Sequence, residues 1–159
     1  MFWNCLLVFL VSMVPLIELR GAVPIGIGLN LGIPEWAVLL IAVIGNMVPV
    51  PFIYKFARKF LEWGAQKKWR PLKKFCDFCL KKGTRAGDKL EKKAGKGIFV
   101  ALMLFVGIPV PGTGAWTGTL AASMLDLPYK KSVLAVLCGV LLAGIIMLFL
   151  SLGVFGAIR

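Results

Sequence analysis

Residues 107–118 read GIPVPGTGAWTG, with Pro109, Pro111 and four glycines in twelve positions. They sit in the middle of a stretch from Ile98 to Leu125 that carries no charge. As a helix, that stretch is long enough to cross a bilayer, whose hydrocarbon core takes about 20 apolar residues. Proline removes a backbone donor and clashes with the preceding turn, and glycine loosens the helix further. Hydrocarbon offers freed N–H and C=O groups no partner, so a break at this depth needs protein or a water-filled cavity around it.

Composition agrees with a membrane setting. The chain has 159 residues, 59% of them hydrophobic and 16% charged, with a mean hydropathy of +0.87. A soluble domain of this length has too little interior for that much apolar surface. The sequence therefore reads as a single all-α membrane domain of about four embedded elements and one loop. It has no histidine, which removes the commonest general base and metal ligand. The start, MFWNCLLVFLVSMVPL, lacks the basic n-region and small-residue cleavage site of a secretory signal, so it reads as embedded protein.

Charge is concentrated in one place. Lys55 to Lys96 holds fifteen of the 19 basic residues and four of the seven acids, and so +11 of the formal net charge of +12. Such a loop marks the cytoplasmic side and faces anionic lipid headgroups; nucleic acid is not an expected partner. Within it, WRPLKKFCDFCLKK puts Leu72, Phe75, Cys76 and Cys79 at helical spacing with lysines around them, the pattern of an interfacial amphipathic helix. Cys76 and Cys79 lack two further ligands for a structural zinc, since Cys5 and Cys138 lie in apolar segments. No metal and no cofactor is expected.

The apolar stretches are Met1–Ile17, continuing past Glu18 and Arg20 to Ile33; Trp36–Tyr54; Ile98–Leu125; and Ser132–Ile158. The second and fourth read as plain spans. The first and third are broken, at VPLIELRGAVPIGIG (14–28) and VGIPVPGTGAWTG (106–118), into legs too short for a full crossing. The order is broken, span, basic loop, broken, span. The expected fold is an inverted repeat of two re-entrant helical hairpins, each followed by a transmembrane helix. Its parts are hairpin 1–34, span 35–56, cytoplasmic loop 57–96, hairpin 97–126 and span 130–158. Four ordinary spans with proline kinks would instead leave the uncharged segment AVPIGIGLNLGIP exposed as a loop.

Glu18 and Arg20 lie at the tip of the first hairpin, and ionisable groups at depth are costly and usually functional. In an unwound tip they are close enough to pair. As functional groups, Glu18 exchanges a proton and Arg20 holds an anionic headgroup in its fork. Gly21, Pro24, Pro109, Pro111, Gly112, Thr113 and Gly114 supply freed backbone and a hydroxyl around them, and Asn46 and Trp116 add polar and stacking contacts. Gly114–Gly118 and Ala135, Gly139 and Ala143 form small-residue faces for helix packing.

The segments ELRGAVPIG (18–26) and PVPGTGAWTG (109–118) resemble the paired signatures of the small multidrug export family, a distant relative of the DedA/VTT membrane proteins. The resemblance covers essentially the whole chain. It implies two re-entrant hairpins packed in inverted orientation and a transport role. Through the DedA relatives it also implies translocation of a lipid such as a polyprenyl phosphate or another phospholipid, driven by an ion gradient. Glu18 matches the acidic residue of the DedA first hairpin. The arginines that DedA proteins carry around their second hairpin have no counterpart here between Ile98 and Tyr129.

The expected activity is thus a small transporter or translocase for an amphipathic molecule or lipid, coupled to protons. The alternatives are a passive scramblase or channel and a non-transporting assembly protein. An enzyme is not expected. Expected partners are membrane lipids and a second copy of the chain in a homodimer. The expected location is the plasma (inner) membrane, multi-pass, with 55–96 in the cytoplasm and both termini outside. An alkaline phosphatase fusion after Arg159 should therefore be active and a green fluorescent protein fusion dark; the opposite pattern means four full spans.

Overall fold

The computed structural model describes residues 2–15, 17–66, 70, 71, 73, 74, 76–78, 81, 85, 96–110 and 113–158. Among these residues the regular structure is all helix: α1 (Phe2–Met13), α2 (Glu18–Gly28), α3 (Glu35–Met47), α4 (Pro49–Gln66), α5 (Lys96–Gly107), α6 (Ala115–Met124) and α7 (Tyr129–Ile158).

Helix length separates two classes. α1, α2, α5 and α6 have 12, 11, 12 and 10 residues. At 1.5 Å per residue they reach about 15–18 Å, roughly half of the hydrocarbon core. α3 and α4 run on as one apolar helix of 32 residues, Glu35–Gln66, and α7 has 30. Among the described residues, two helices are therefore long and apolar enough to cross a membrane. Val48 keeps helical dihedrals (φ −57°, ψ −45°), which carries the helix through Pro49 and Pro51. α1 stops just ahead of Pro15 and α5 just ahead of Pro109, where the residue before a proline is pushed out of the helical region.

The short helices form two helical hairpins. Asn4 Nδ2 donates to the Leu31 carbonyl at 2.8 Å and ties the free end of α1 to the end of α2. Ile98 and Leu102 of α5 lie beside Leu127, just past α6. The first leg of each hairpin packs on the long helix of its own half, α1 on α3 and α5 on α7. The second leg crosses over, α2 to α7 and α6 to α4. The closest approaches repeat as well. A Cβ on Gly45 would meet the Phe9 carbonyl at 2.6 Å, and one on Gly139 would meet the Met103 carbonyl, also at 2.6 Å. Both residues of the second pair lie 94 positions after those of the first. Asn30, past α2, and Asp126, past α6, both have left-handed backbone (φ 45° and 54°).

The halves differ in tightness. α1 and α2 lie closely along each other, whereas α5 and α6 touch sparingly and leave an apolar space of about 300 Å³ between Ala101, Phe105, Ala121 and Leu125. The core is built of small and β-branched side chains, with Val8, Val23, Val38, Val106, Val136 and Val140 almost fully buried. Apolar residues gain nothing by leaving lipid for protein, so close backbone approach at small residues carries helix association.

Residues Leu72, Phe75 and Cys79 of the expected amphipathic helix lie outside the described residues. Positions 70, 71, 73, 74, 76–78, 81 and 85 are helical, and Cys76 is fully buried against Leu61 and Ala65 of α4.

Candidate functional site

The break in the second hairpin exposes two helix ends. α5 finishes with carbonyls that have no following turn to accept from, and α6 begins with N–H groups that have no preceding turn. The N-cap of α6 is Gly114, extended at φ 176°, with no side chain to cap with. Thr117 Oγ1 accepts from the Gly114 N–H at 3.0 Å. The next two donors go to a residue of the other hairpin. Ala115 N–H donates to Glu18 Oε2 at 3.3 Å, and Trp116 N–H donates to Glu18 Oε1 at 3.1 Å. Glu18 is 6% exposed, so a buried carboxylate from hairpin one caps a helix of hairpin two. A negative charge here also complements the helix dipole.

Arg20 serves the other end. Its guanidinium donates to the carbonyls of Val106 (3.2 Å), Ile108 (3.0 Å) and Val110, and to Thr113 Oγ1 at 3.1 Å. The planar fork reaches several acceptors that a lysine ammonium on a single point could not. Thr113 Oγ1 also lies against Ile108 O and Val110 O (3.1 and 2.9 Å), which fixes the loop around the guanidinium.

The backbone is shaped for this. Glu18 itself has φ 51°, a left-handed conformation that costs a non-glycine residue about 1–2 kcal/mol, and its carboxylate oxygens occupy the place of a Cβ on Gly114. Glu18 and Arg20 were read as close enough to pair in an unwound tip; in the structure each bonds backbone of the second break. Ion pairs among the described residues are Arg58–Glu62 (3.1 Å) and Arg58–Asp126. The left-handed backbone at Glu18 takes its carboxyl to the first N–H groups of α6, while Arg20 reaches the end of α5.

The other expected site residues divide. Thr113, Gly114 and the backbone of Trp116 join Glu18 and Arg20, and Pro109 lies within the loop that Arg20 spans. Pro111 and Gly112 lie outside the described residues. Gly21 and Pro24 lie inside α2, away from the contacts of Glu18 and Arg20, and a Cβ on Gly21 would strike the Ile17 side chain. Asn46 is fully buried in α3, and among the described residues neither end of its amide has a partner, nor does the buried Trp116 indole Nε1.

A second polar cluster was not expected from the sequence. Tyr54 Oη donates to the Leu127 carbonyl, Ser123 Oγ donates to the Tyr54 carbonyl at 2.9 Å, and Arg58 bonds Asp126. These contacts fasten the far end of α6 to α4. Tyr129 stacks edge-on against Tyr54 at 5.2 Å, with Lys55 Nζ 5.9 Å from its ring centre. Thus α6 is held at both ends by polar contacts and borders loose apolar space along its length.

The family model described as "Putative small multi-drug export protein" matches residues 18–146. The chain belongs to that family. The match begins at Glu18 and takes in both hairpin breaks, and with the two apolar helices it points to a membrane location. No curated protein and no solved structure matches the chain.

The geometry makes Gly114 and Glu18 one unit. Gly114→Ala should destabilise the protein by about 1–2 kcal/mol through loss of the cap, measured by thermal unfolding in detergent. In a Glu18→Ala background the same change should cost almost nothing. Additive losses would mean that the methyl acts by some route other than displacing the carboxylate.

Proposed function

We propose that this small multidrug export family member is a membrane transporter for amphipathic molecules, with its path between two re-entrant hairpins packed in opposite orientation and the Glu18–Arg20 junction as its gate. The observation that carries the reading is that both charges of one hairpin, the buried Glu18 and the half-buried Arg20, are spent on the backbone of the other. Such a junction closes the midplane, and it opens only when something else satisfies those groups.

The repeated contact scheme supports inverted halves: own long helix for the first leg, opposite long helix for the second, with matched carbonyl contacts at Gly45 and Gly139. The difference in tightness supports a cycle. One end state has hairpin one closed and hairpin two slack, and exchanging the two conformations between the halves gives the other, as inverted-repeat transporters alternate. The concentration of Lys and Arg in 55–96 supports a cytoplasmic loop.

Of the two charges, Glu18 is the easier to release. An anionic headgroup on Arg20 must displace three carbonyls and a hydroxyl. A proton or a cationic substrate at Glu18 disturbs two N–H hydrogen bonds and neutralises the charge that faces α6. This favours proton coupling through Glu18 and an amphipathic cation over a phosphate-bearing lipid.

The test is flux in proteoliposomes, with ethidium and a fluorescent phosphatidylethanolamine as probes. Wild type should move ethidium when a pH gradient is imposed, and Glu18→Gln should slow it at least about tenfold, the effect of roughly 1.4 kcal/mol. Gradient-independent flux of the lipid probe that survives the substitution would make the protein a scramblase. If folded wild type moves neither probe, the junction is structural and the reading is wrong.

A further inference from the structure

Two uncharged runs end at one place. Trp36 to Tyr54 carries no charge and is closed by Lys55; Ser132 to Ile158 carries none and is opened by Lys130 and Lys131. The fold brings these two ends together. Tyr54 and Tyr129 meet edge-on with ring centres 5.2 Å apart, and Lys55 Nζ lies 5.9 Å from the centre of the Tyr129 ring. Charges that bound apolar runs, with tyrosines beside them, mark the level where hydrocarbon gives way to headgroups.

At that level lies an open cleft of about 330 Å³, lined by Tyr54, Lys55, Arg58, Lys59, Glu62 and Tyr129. Lys55, Arg58, Lys59 and Glu62 follow the i, i+3, i+4, i+7 spacing of one helix side. Glu62, the carboxylate in the lining, is bonded to Arg58 at 3.1 Å, and Arg58 also holds Asp126. Lys55 and Lys59 stand four apart, a spacing at which like charges repel. Both are exposed, and among the described residues neither is in an ion pair. A phosphate between the two ammonium groups relieves that repulsion.

The surface beneath the cleft says where the phosphate comes from. Helix continues from α3 into α4 through Val48. Val48 lies seven residues before Lys55 and eleven before Lys59, and Ile44 lies eleven before Lys55. Those spacings are close to two and three full turns, so the four residues share one side of the helix. Ile44 and Val48 are exposed, as is Leu40 one turn deeper. From Lys55 down to Ile44 is about 17 Å along the axis, roughly the apolar depth of one leaflet. An acyl chain therefore has an apolar track directly under the lysines, for which a free phosphate has no use.

We infer that this cleft binds the phosphate of one anionic phospholipid, with an acyl chain lying along the Val48, Ile44 and Leu40 track. Arg58 forms part of the wall and holds Asp126, so the site adjoins the contacts that fasten the far end of α6 to α4.

The experiment uses the full chain in nanodiscs of phosphatidylcholine with an equal share of phosphatidylglycerol. Native mass spectrometry reads the lipids retained as the disc is stripped. Wild type should keep one phosphatidylglycerol in preference to phosphatidylcholine. Lys55→Gln and Lys59→Gln, both at exposed positions that leave the fold intact, should each cut that preference about fivefold. Lys74→Gln makes the same charge change at an exposed loop position outside the cleft lining and should leave the preference unchanged. An excess of inorganic phosphate should leave the retained phosphatidylglycerol in place. Equal retention of the two lipids by wild type would overturn the assignment. So would an equal loss in Lys74→Gln, which would make the preference a property of the basic loop at large. Displacement of the lipid by inorganic phosphate would make the cleft a site for a soluble anion, and the lipid assignment would be wrong.

Discussion

A helix broken inside an apolar setting must find partners for the backbone groups at its two new ends. The second hairpin of this protein meets that constraint with side chains from the first. Left bare, each such group would cost a few kcal/mol, because no water competes for it. Glu18 satisfies two N–H groups at the start of α6, and Arg20 satisfies three carbonyls at the end of α5. Exposed pairs such as Arg58–Glu62 are worth at most about 1 kcal/mol by comparison. The Glu18 cap, buried from solvent, outweighs them.

Much of the local design follows from that one contact. Gly114 has no side chain because a carboxylate stands where its Cβ would be. Glu18 keeps a left-handed backbone, a standing cost that the two amide bonds offset. Thr113 turns its hydroxyl to the guanidinium and to the same carbonyls. The halves of the chain are thereby locked at their tips, while α5 and α6 remain loosely packed along their length.

How far the sequence foretold this varies with the kind of interaction. The breaks were legible, because proline and glycine announce themselves, and so were the two long helices. Glu18 and Arg20 stood out as charges at depth. Their partners did not, because a backbone carbonyl or N–H carries no residue identity; only the fold decides which break faces which charge. Proximity in sequence left mutual pairing open, and the left-handed backbone at Glu18 takes its carboxyl to the start of α6 instead. The Tyr54–Arg58–Asp126 cluster was hidden for another reason. Arg58 looked like one cation among many in a basic loop, and its partner lies 68 residues away. Asn46 drew attention as a polar residue in a span; its burial is complete, but it joins none of the charged groups.

The junction itself can be measured in bilayers. Solid-state NMR on protein labelled with 13C at the Glu18 carboxyl and 15N at Trp116 reads the separation directly by dipolar recoupling. A hydrogen-bonded carboxylate places its carbon about 4 Å from the donor nitrogen. That distance in the wild type, lengthened in Gly114→Ala, is what a carboxylate cap on α6 predicts. A separation beyond about 6 Å, or one indifferent to the methyl at residue 114, would contradict it.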